Sequence, residues 1–254
     1  MNPSIFLPAF EANWLGDNRA LLPKLRDGRL GARGALAVAR NWRRAAIAAL
    51  LQTGTPATFL RRLQRAGSAF ASFLERTTAA DLLTSECAPL FCAIAADDPG
   101  TALRIAAAAP RDRSDAEYEE DYWWFELTMR LVSDPDGAAD HTELLQRWED
   151  CLEGSFDPRL DVARALTAGD GEALGSALVA WLGEVQGTMR ELREAAGDPE
   201  VLATEAYVSI EGIAVARLAR ARGLDVPAPL VLVPEPALAA APAPWPAESF
   251  TIVD

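Results

Sequence analysis

Apolar side chains recur at the three- and four-residue spacing of an α-helix through most of the chain. The clearest example follows Thr55 and Pro56, which suit the N-cap and the first turn of a helix. Its apolar residues would share one face, and they are Phe59, Leu60, Leu63, Phe70, Phe73 and Leu74. The same spacing predicts an earlier long helix over residues 34–51, which Gly54 would end.

Further helices are predicted to begin near Thr78, Thr101, Ser114, Asp140, Asp157, Ala173 and Glu200. The first of these is expected to reach Asp97 and the last to reach Arg222, whereas Phe6, Phe10 and Trp14 form only a short aromatic opening. Short Gly- and Pro-containing turns join the segments, and β-branched residues are few, which favours helix over strand. The pattern predicts an all-α fold, an irregular stack of antiparallel helix hairpins without a fixed repeat.

The composition changes beyond Leu224, where Pro and Ala predominate up to Asp254. Because proline cannot continue a helix, we expect residues 225–254 to form an extended Pro/Ala-rich tail. Its apolar residues indicate a tail that packs on the body, and they are Leu230 to Val233, Trp245, and Phe250 to Val253. The predicted organisation is a single helical domain over residues 1–224, followed by this packed tail.

The helix predicted from Ser114 to about Val132 has apolar residues on two sides and a strongly acidic start. One interpretation is a central helix between neighbours, with the carboxylates complementing the positive N-terminal end of the helix. The other is a partner-binding surface, since aromatic side chains supply contact area and carboxylates attract a basic partner. On the second interpretation the contact residues are Glu117, Glu119, Glu120, Asp121, Trp123 and Trp124.

Charge is unevenly distributed along the chain. Residues 1–76 contain 12 Lys/Arg and 4 Asp/Glu, a net charge of +8, so the rest carries −21 of a total of −13. A basic N-terminal layer could dock on the acidic remainder, or the acidic surface could remain free for a basic protein. The negative total disfavours nucleic-acid binding, so Arg61, Arg62 and Arg65 are expected to form a solvated rim.

Residues that could support catalysis or bind a metal are scarce. The single histidine, His141, is expected at the surface, so neither a histidine metal site nor a Ser-His-Asp arrangement is predicted. Carboxylate pairs such as Asp97-Asp98 could hold Mg²⁺ in a helical enzyme, but no DDxxD pattern is present. Glu205 and Glu211 lie in an otherwise apolar segment and are expected to pair with arginine. We therefore predict no catalytic residues, no metal and no cofactor.

The three cysteines, Cys87, Cys92 and Cys151, form no CxxC pair and are expected to be reduced, small apolar residues. The N-terminus lacks a basic segment of the kind that begins a signal peptide, and the longest apolar runs are too short to cross a bilayer. We therefore expect a cytoplasmic protein without a membrane partner.

Two C-terminal segments are similar to a known family. Residues 161–170, DVARALTAGD, and residues 203–224, ATEAYVSIEGIAVARLARARGL, resemble the immunity protein 49 family of bacterial polymorphic toxin systems. The similarity covers roughly residues 157–235. The resemblance implies a helical protein that neutralises a cognate toxin by direct binding, and it provides no catalytic residues to carry over.

These observations lead to one main hypothesis and two alternatives. An acidic immunity protein would associate rapidly with a basic toxin through long-range attraction, which agrees with the charge of this chain. The first alternative is a helical regulatory scaffold that binds an endogenous protein, and the second is a magnesium-dependent helical enzyme. The main hypothesis, supported by the resemblance, is an immunity protein that acts without catalysis.

Overall fold

A computed structural model of the chain describes residues 4–76, 82–134, 137, 139–239, 249–251 and 253. Within these ranges the regular structure is helical and includes no strand, which confirms the all-α prediction. The helices are α1 (Leu7–Arg26), α2 (Ala32–Thr53), α3 (Pro56–Leu74), α4 (Pro89–Ala95), α5 (Pro99–Ala108), α6 (Glu119–Ser133), α7 (Thr142–Cys151), α8 (Pro158–Ala168), α9 (Gly171–Glu194), α10 (Pro199–Ala203), α11 (Ile210–Ala221) and α12 (Glu235–Ala239). Two 3₁₀ turns, Thr84–Glu86 and Ser249–Thr251, complete the regular elements.

The first three helices pack in chain order, α1 on α2 and α2 on α3. Gly54 ends α2 in the left-handed conformation at φ +68°, and its N–H donates to the Leu50 carbonyl at 2.8 Å. The short aromatic opening predicted before residue 34 is wrong, because this segment forms the 20-residue helix α1. Trp14 and Leu22, which both face the interior from this helix, are each 2% exposed.

Two other predicted helices are interrupted. Over the described part of the helix expected from Thr78 to Asp97, a 3₁₀ turn precedes α4, and Pro89 opens α4 where its missing N–H costs nothing. The helix expected from Glu200 to Arg222 is split into α10 and α11. Ser209 starts a new helix there, because its hydroxyl accepts the Gly212 N–H at 3.0 Å while its own N–H donates to the Leu232 carbonyl.

The arginines of α3 are not the solvated rim that the sequence predicts. Arg62 is 6% exposed and donates to the Ala45 carbonyl at 2.7 Å as well as pairing with Glu11. Arg65 is fully buried, with its guanidinium carbon 4.9 Å from the centre of the Trp42 ring. The prediction is wrong for these two residues because α2 packs over that face of α3, where the guanidinium groups find acceptors and an aromatic partner.

Charged residues also join α2 to the C-terminal part of the chain. Arg44 contacts the carboxylates of Asp198 and Glu205 at 3.3 Å each and also pairs with Glu200. Arg43 pairs with Glu205 at 2.8 Å, so the arginine partner expected for this glutamate is confirmed. Part of the positive charge of residues 1–76 is thus neutralised within the protein, while the extent of the predicted single domain stays a prediction.

The described part of the tail contacts the body and includes a helix. Leu230, Val233, Ala237 and Phe250 are all buried. The short helix α12 departs from the predicted extended chain, since Pro236 falls in its first turn, where proline is tolerated. Trp245 lies outside the described residues.

His141 is buried and not at the surface as predicted, with 6% of its area exposed. Neither ring nitrogen has a hydrogen-bond partner in the described structure. Burial lowers the pKa of His141 from its usual 6.5, and Arg130 and Arg222 lower it further. The ring is therefore neutral at physiological pH and packs as part of the interior.

Candidate partner-binding site

The acidic segment singled out in the sequence forms the entrance to α6. Tyr118 is extended, and Glu119, Glu120 and Asp121 occupy the first helical turn, where carboxylates complement the helix dipole. Ser114 and Glu117 do interact, because the Ser114 N–H donates to the Glu117 carboxylate at 3.0 Å. Their contact closes a turn that precedes α6, so the helix begins later than the capping-box pattern predicts.

Glu117 has an intramolecular role. It is 8% exposed, and its second carboxylate oxygen accepts the Ser85 N–H at 2.9 Å. The side chain therefore connects the 3₁₀ turn Thr84–Glu86 to the segment that leads into α6. Its burial leaves little surface for the partner contact predicted from the sequence.

Trp124 lies at the centre of the helical body. It is 1% exposed, and its ring centre lies 5.9 Å from that of Phe91, 6.0 Å from that of Trp148 and 5.7 Å from that of Trp181. These partners belong to α4, α7 and α9, so α6 is surrounded at this level. For Trp124 the central-helix interpretation applies.

Glu119, Glu120 and Trp123 lie nearer to solvent. Glu119 and Glu120 are partly exposed, and Trp123 is 9% exposed. The Trp123 indole N–H donates to Glu119 at 3.3 Å, and Arg113 lies 3.4 Å from the same carboxyl group. A groove of about 520 Å³ runs past Glu119 and Trp123, and it is lined by Arg113, Glu119, Tyr122, Trp123, Arg147, Asp150 and Cys151. A partner side chain could enter this groove.

Asp121 is divided between the surface and an internal ion pair. Its side chain is 39% exposed, and one oxygen lies 2.6 Å from the Arg159 guanidinium. Arg159 also contacts Asp157 at 2.9 Å, which links the start of α6 to the start of α8. Because Arg159 offsets part of its charge, Asp121 is less available to a partner than Glu120, which has no ion pair among the described residues.

Two exposed aromatic residues extend this surface, and neither is among the contacts predicted from the sequence. Tyr118 is 76% exposed, and Phe156, which directly precedes Asp157, is 67% exposed. Tyr118 falls on the apolar stripe of the helical pattern, but it precedes the helix and its ring is therefore directed outward. Phe156 lies in the loop after α7, where periodicity gives no information about exposure.

The pKa of the Cys151 thiol is affected by the negative charges at this end of the molecule. Burial raises its pKa to about 11, and Glu119, Glu120 and Asp157 contribute to the increase. Burial likewise raises the pKa of Cys92 to about 12. Both thiols are protonated at neutral pH and are poor nucleophiles.

Among the described residues, His, Cys, Asp and Glu side chains do not come together in any group of three or more suited to a metal ion. No helix in the same ranges combines the length and apolar character needed to cross a bilayer.

The sequence profile of the family described as immunity protein 49 matches residues 34–236, which is most of the chain. The chain belongs to the immunity protein 49 family. This region extends beyond residues 157–235, the range over which the sequence resembles the family. It also includes α6 and, in α2, Arg43 and Arg44. No curated protein and no solved structure matches the chain. The acidic entrance of α6 thus lies inside the part of the chain that defines its membership of the immunity protein 49 family.

Proposed function

We propose that this immunity protein 49 member neutralises a cognate protein toxin in the cytoplasm by direct binding, and that it acts without catalysis. Membership of an immunity protein family carries the proposal. Neutralisation by occlusion needs affinity and surface coverage but no turnover. The scarcity of histidine and the protonated state of the Cys92 and Cys151 thiols agree with a binding role.

The charge distribution supports a basic toxin surface as the partner. Arg43 and Arg44 are paired internally, whereas Glu119 and Glu120 are partly exposed at the entrance of α6. Exposed carboxylates raise the association rate with a basic surface by long-range attraction, and salt screens that attraction. We refer to Tyr118, Glu119, Glu120, Trp123 and Phe156 as the acidic-aromatic surface.

The exposed aromatic residues would supply short-range contact area after this attraction. Tyr118 and Phe156 have few rotatable bonds, so their immobilisation costs little entropy for the area that each buries. Glu117 and Trp124, which the sequence also placed in the contact set, would support this surface from within. The proposed contacts are therefore Glu119, Glu120 and Trp123, which lines the groove, together with these two aromatic residues.

Co-purification tests the function itself. The chain is expressed together with the product of the adjacent toxin-like gene, and complex formation and loss of toxicity are measured. We expect a stable complex and protected cells. An adjacent product that is toxic but neither binds this chain nor is neutralised by it would contradict the proposal, and capture of an endogenous protein in its place would favour a scaffold.

Reversing the charge of Glu119 and Glu120 together to lysine is expected to lower the association rate with the toxin by about tenfold or more at low salt. The effect should shrink as salt increases, because the attraction that is lost is electrostatic. Stopped-flow measurement over a range of ionic strengths checks this.

The matched control is the pair Glu191→Lys and Glu194→Lys, which makes the same charge change at exposed positions near the end of α9. The stability of both variants is compared by thermal unfolding. Equal association rates for the two double variants would show that net charge matters and that the acidic-aromatic surface does not.

A further inference from the structure

A pocket of about 150 Å³ opens between α2 and the start of α4. It shares no lining residue with the groove beside Trp123, so it is a separate feature of the surface. Because residues three and four positions apart lie on the same face of a helix, a single face of α2 forms one wall. The residues that line the pocket are Leu36, Ala39, Arg40 and Arg43 of α2 together with Ala88, Pro89 and Cys92. We call it the Arg40 pocket.

The Arg40 pocket combines an apolar wall with charge of a single sign. Among the described residues, the ionised side chains that line it are two arginines, and none is a carboxylate. Burial raises the pKa of Cys92 to about 12, so its thiol adds no negative charge at neutral pH. The groove beside Trp123 differs, because carboxylates and arginines both line it. The Arg40 pocket is therefore a positive site in a chain whose net charge is −13.

Both arginines have donors to spare. Arg40 is exposed and makes no hydrogen bond or ion pair with another described residue. Arg43, one helical turn farther along α2, donates from Nη2 to Glu205 at 2.8 Å, whereas its solvent-accessible Nη1 makes no such bond in the described structure. Glu211, for which the sequence also predicts an arginine partner, acts on Arg43 only from beyond ion-pair distance. A negatively charged hydrogen-bond acceptor is thus what this pair of guanidinium groups can still bind.

The size and the wall of the Arg40 pocket favour one kind of anion. A volume of about 150 Å³ is enough for a group the size of benzene. A phosphate group would bring oxygens on all sides against Leu36, Ala39 and Pro89, whose side chains offer no donors. A carboxylate on a short apolar stem can place its methylene groups on that wall and its oxygens on the guanidinium groups, where the hydrogen bonds are charge-assisted. The pocket thus favours a short aliphatic carboxylate.

The side chain of an aspartate or glutamate residue has this form. The profile of the immunity protein 49 family matches residues 34–236, so the Arg40 pocket lies within the part of the chain that indicates a toxin partner. An acidic side chain on a predominantly basic toxin would be repelled by Glu119 and Glu120 and attracted by Arg40. Complementary charges at separate places fix the orientation in which two proteins dock. An acidic toxin residue is therefore the occupant that the charge pattern favours.

We propose that the Arg40 pocket receives an aspartate or glutamate side chain of the cognate toxin, with Arg40 as its main ion-pair partner and Arg43 as the second. This inference rests on the proposed function and identifies a contact within it. The acidic-aromatic surface would accelerate the encounter through long-range attraction. The Arg40 pocket would then select one orientation of the bound toxin.

Substitution of Arg40 by glutamine tests the contact. We expect Arg40→Gln to dissociate from the toxin about fivefold faster or more, because an ion pair shielded by the complex acts mainly on dissociation. Attraction by net charge alone predicts the opposite, since the substitution makes the chain more negative and a basic toxin would bind it more tightly. The matched control is Arg33→Gln, an exposed arginine of α2 outside the pocket, which should leave dissociation unchanged. Dissociation of Arg40→Gln no faster than that of Arg33→Gln would overturn the proposal.

A toxin-independent measurement separates this inference from the proposed function. Butyrate is titrated into the free full-length protein, and the arginine Nε–H signals are followed by NMR, with Arg40 assigned from the Arg40→Gln variant. We expect butyrate to shift the Arg40 signal to saturation and neutral butyramide to leave it unchanged. Ala88→Leu keeps both arginines but fills part of the pocket, so it should weaken butyrate binding about fivefold or more.

The outcomes of the two experiments are distinct. Saturable butyrate binding together with faster dissociation of Arg40→Gln from the toxin would support the inference. An equal response in Ala88→Leu, or no saturable shift, would overturn the pocket as a carboxylate site even where the toxin binds. Saturable butyrate binding by a chain that binds no toxin would contradict the proposed function alone.

Discussion

Replacing Trp124 with alanine is expected to lower the free energy of unfolding by about 3–5 kcal/mol, the usual range for removing a large buried aromatic side chain. Its ring lies within 6.0 Å, centre to centre, of Phe91, Trp148 and Trp181, so the cavity would open between α4, α6, α7 and α9. The four helices cannot readily move together to fill this cavity, because each is held in place by its other neighbours. Urea unfolding followed by circular dichroism measures the loss.

Phe156→Ala is the control for this prediction, because it removes an aromatic ring that is 67% exposed. We expect it to change stability by less than about 0.5 kcal/mol and to weaken toxin binding. The two variants should therefore separate stability from recognition. Wild-type stability for Trp124→Ala combined with lost toxin binding would show that Trp124 is a contact residue after all.

Replacing Arg44 with methionine is expected to destabilise the protein by about 3 kcal/mol, as when one partner of a buried ion pair is removed. The Arg44 side chain is 9% exposed, and its loss would leave Asp198, Glu200 and Glu205 close together without their shared cation. The value is at the lower end of the usual range because Asp198 is 49% exposed and solvent would screen its charge. Arg40→Met, at an exposed position of α2, is the control and should have little effect on stability.

The effect of Arg44→Met should depend on pH. Burial opposes the ionisation of Glu205, but Arg43 and Thr204 outweigh it and keep the pKa of Glu205 below its usual 4.5. Burial also opposes the ionisation of Asp198, but the Glu200 N–H and Arg44 outweigh it and keep the pKa of Asp198 below its usual 3.8. Carboxylates with lowered pKa values stabilise the folded chain fully when the pH is above their usual pKa values. This stabilisation is lost as the pH falls through the lowered pKa values of the folded chain. The difference between Arg44→Met and the unchanged protein should therefore shrink in acid, and an equal difference at neutral and acidic pH would contradict the assignment.

The sequence predicts the helices whose ends are set by local chemistry. α2, α3 and α9 follow from apolar spacing together with Gly54, Pro56 and the Gly-containing turn before Glu172. The break between α10 and α11 could not be predicted in this way, because the Ser209 N–H bonds to the Leu232 carbonyl, which is contributed by a distant segment. The burial of Arg65 against Trp42 was missed for the same reason, since it depends on how α2 packs on α3.

The candidate site shows why two interpretations of α6 could not be separated in advance. Periodicity places Trp123 and Trp124 together, but only the positions of Phe91, Trp148 and Trp181 decide that Trp124 is enclosed while Trp123 reaches the groove. The two interpretations therefore apply to different residues of one helix.

The ion pairs of Arg44 also bear on how the protein is made. Its partners Asp198, Glu200 and Glu205 follow it by 154, 156 and 161 positions, so they leave the ribosome long after α2. During translation the first helices can associate with one another. The Arg44 guanidinium of α2, however, cannot form these ion pairs until residues 198–205 have emerged. Nascent or prematurely terminated chains that end before Glu205 therefore lack the full set of these contacts.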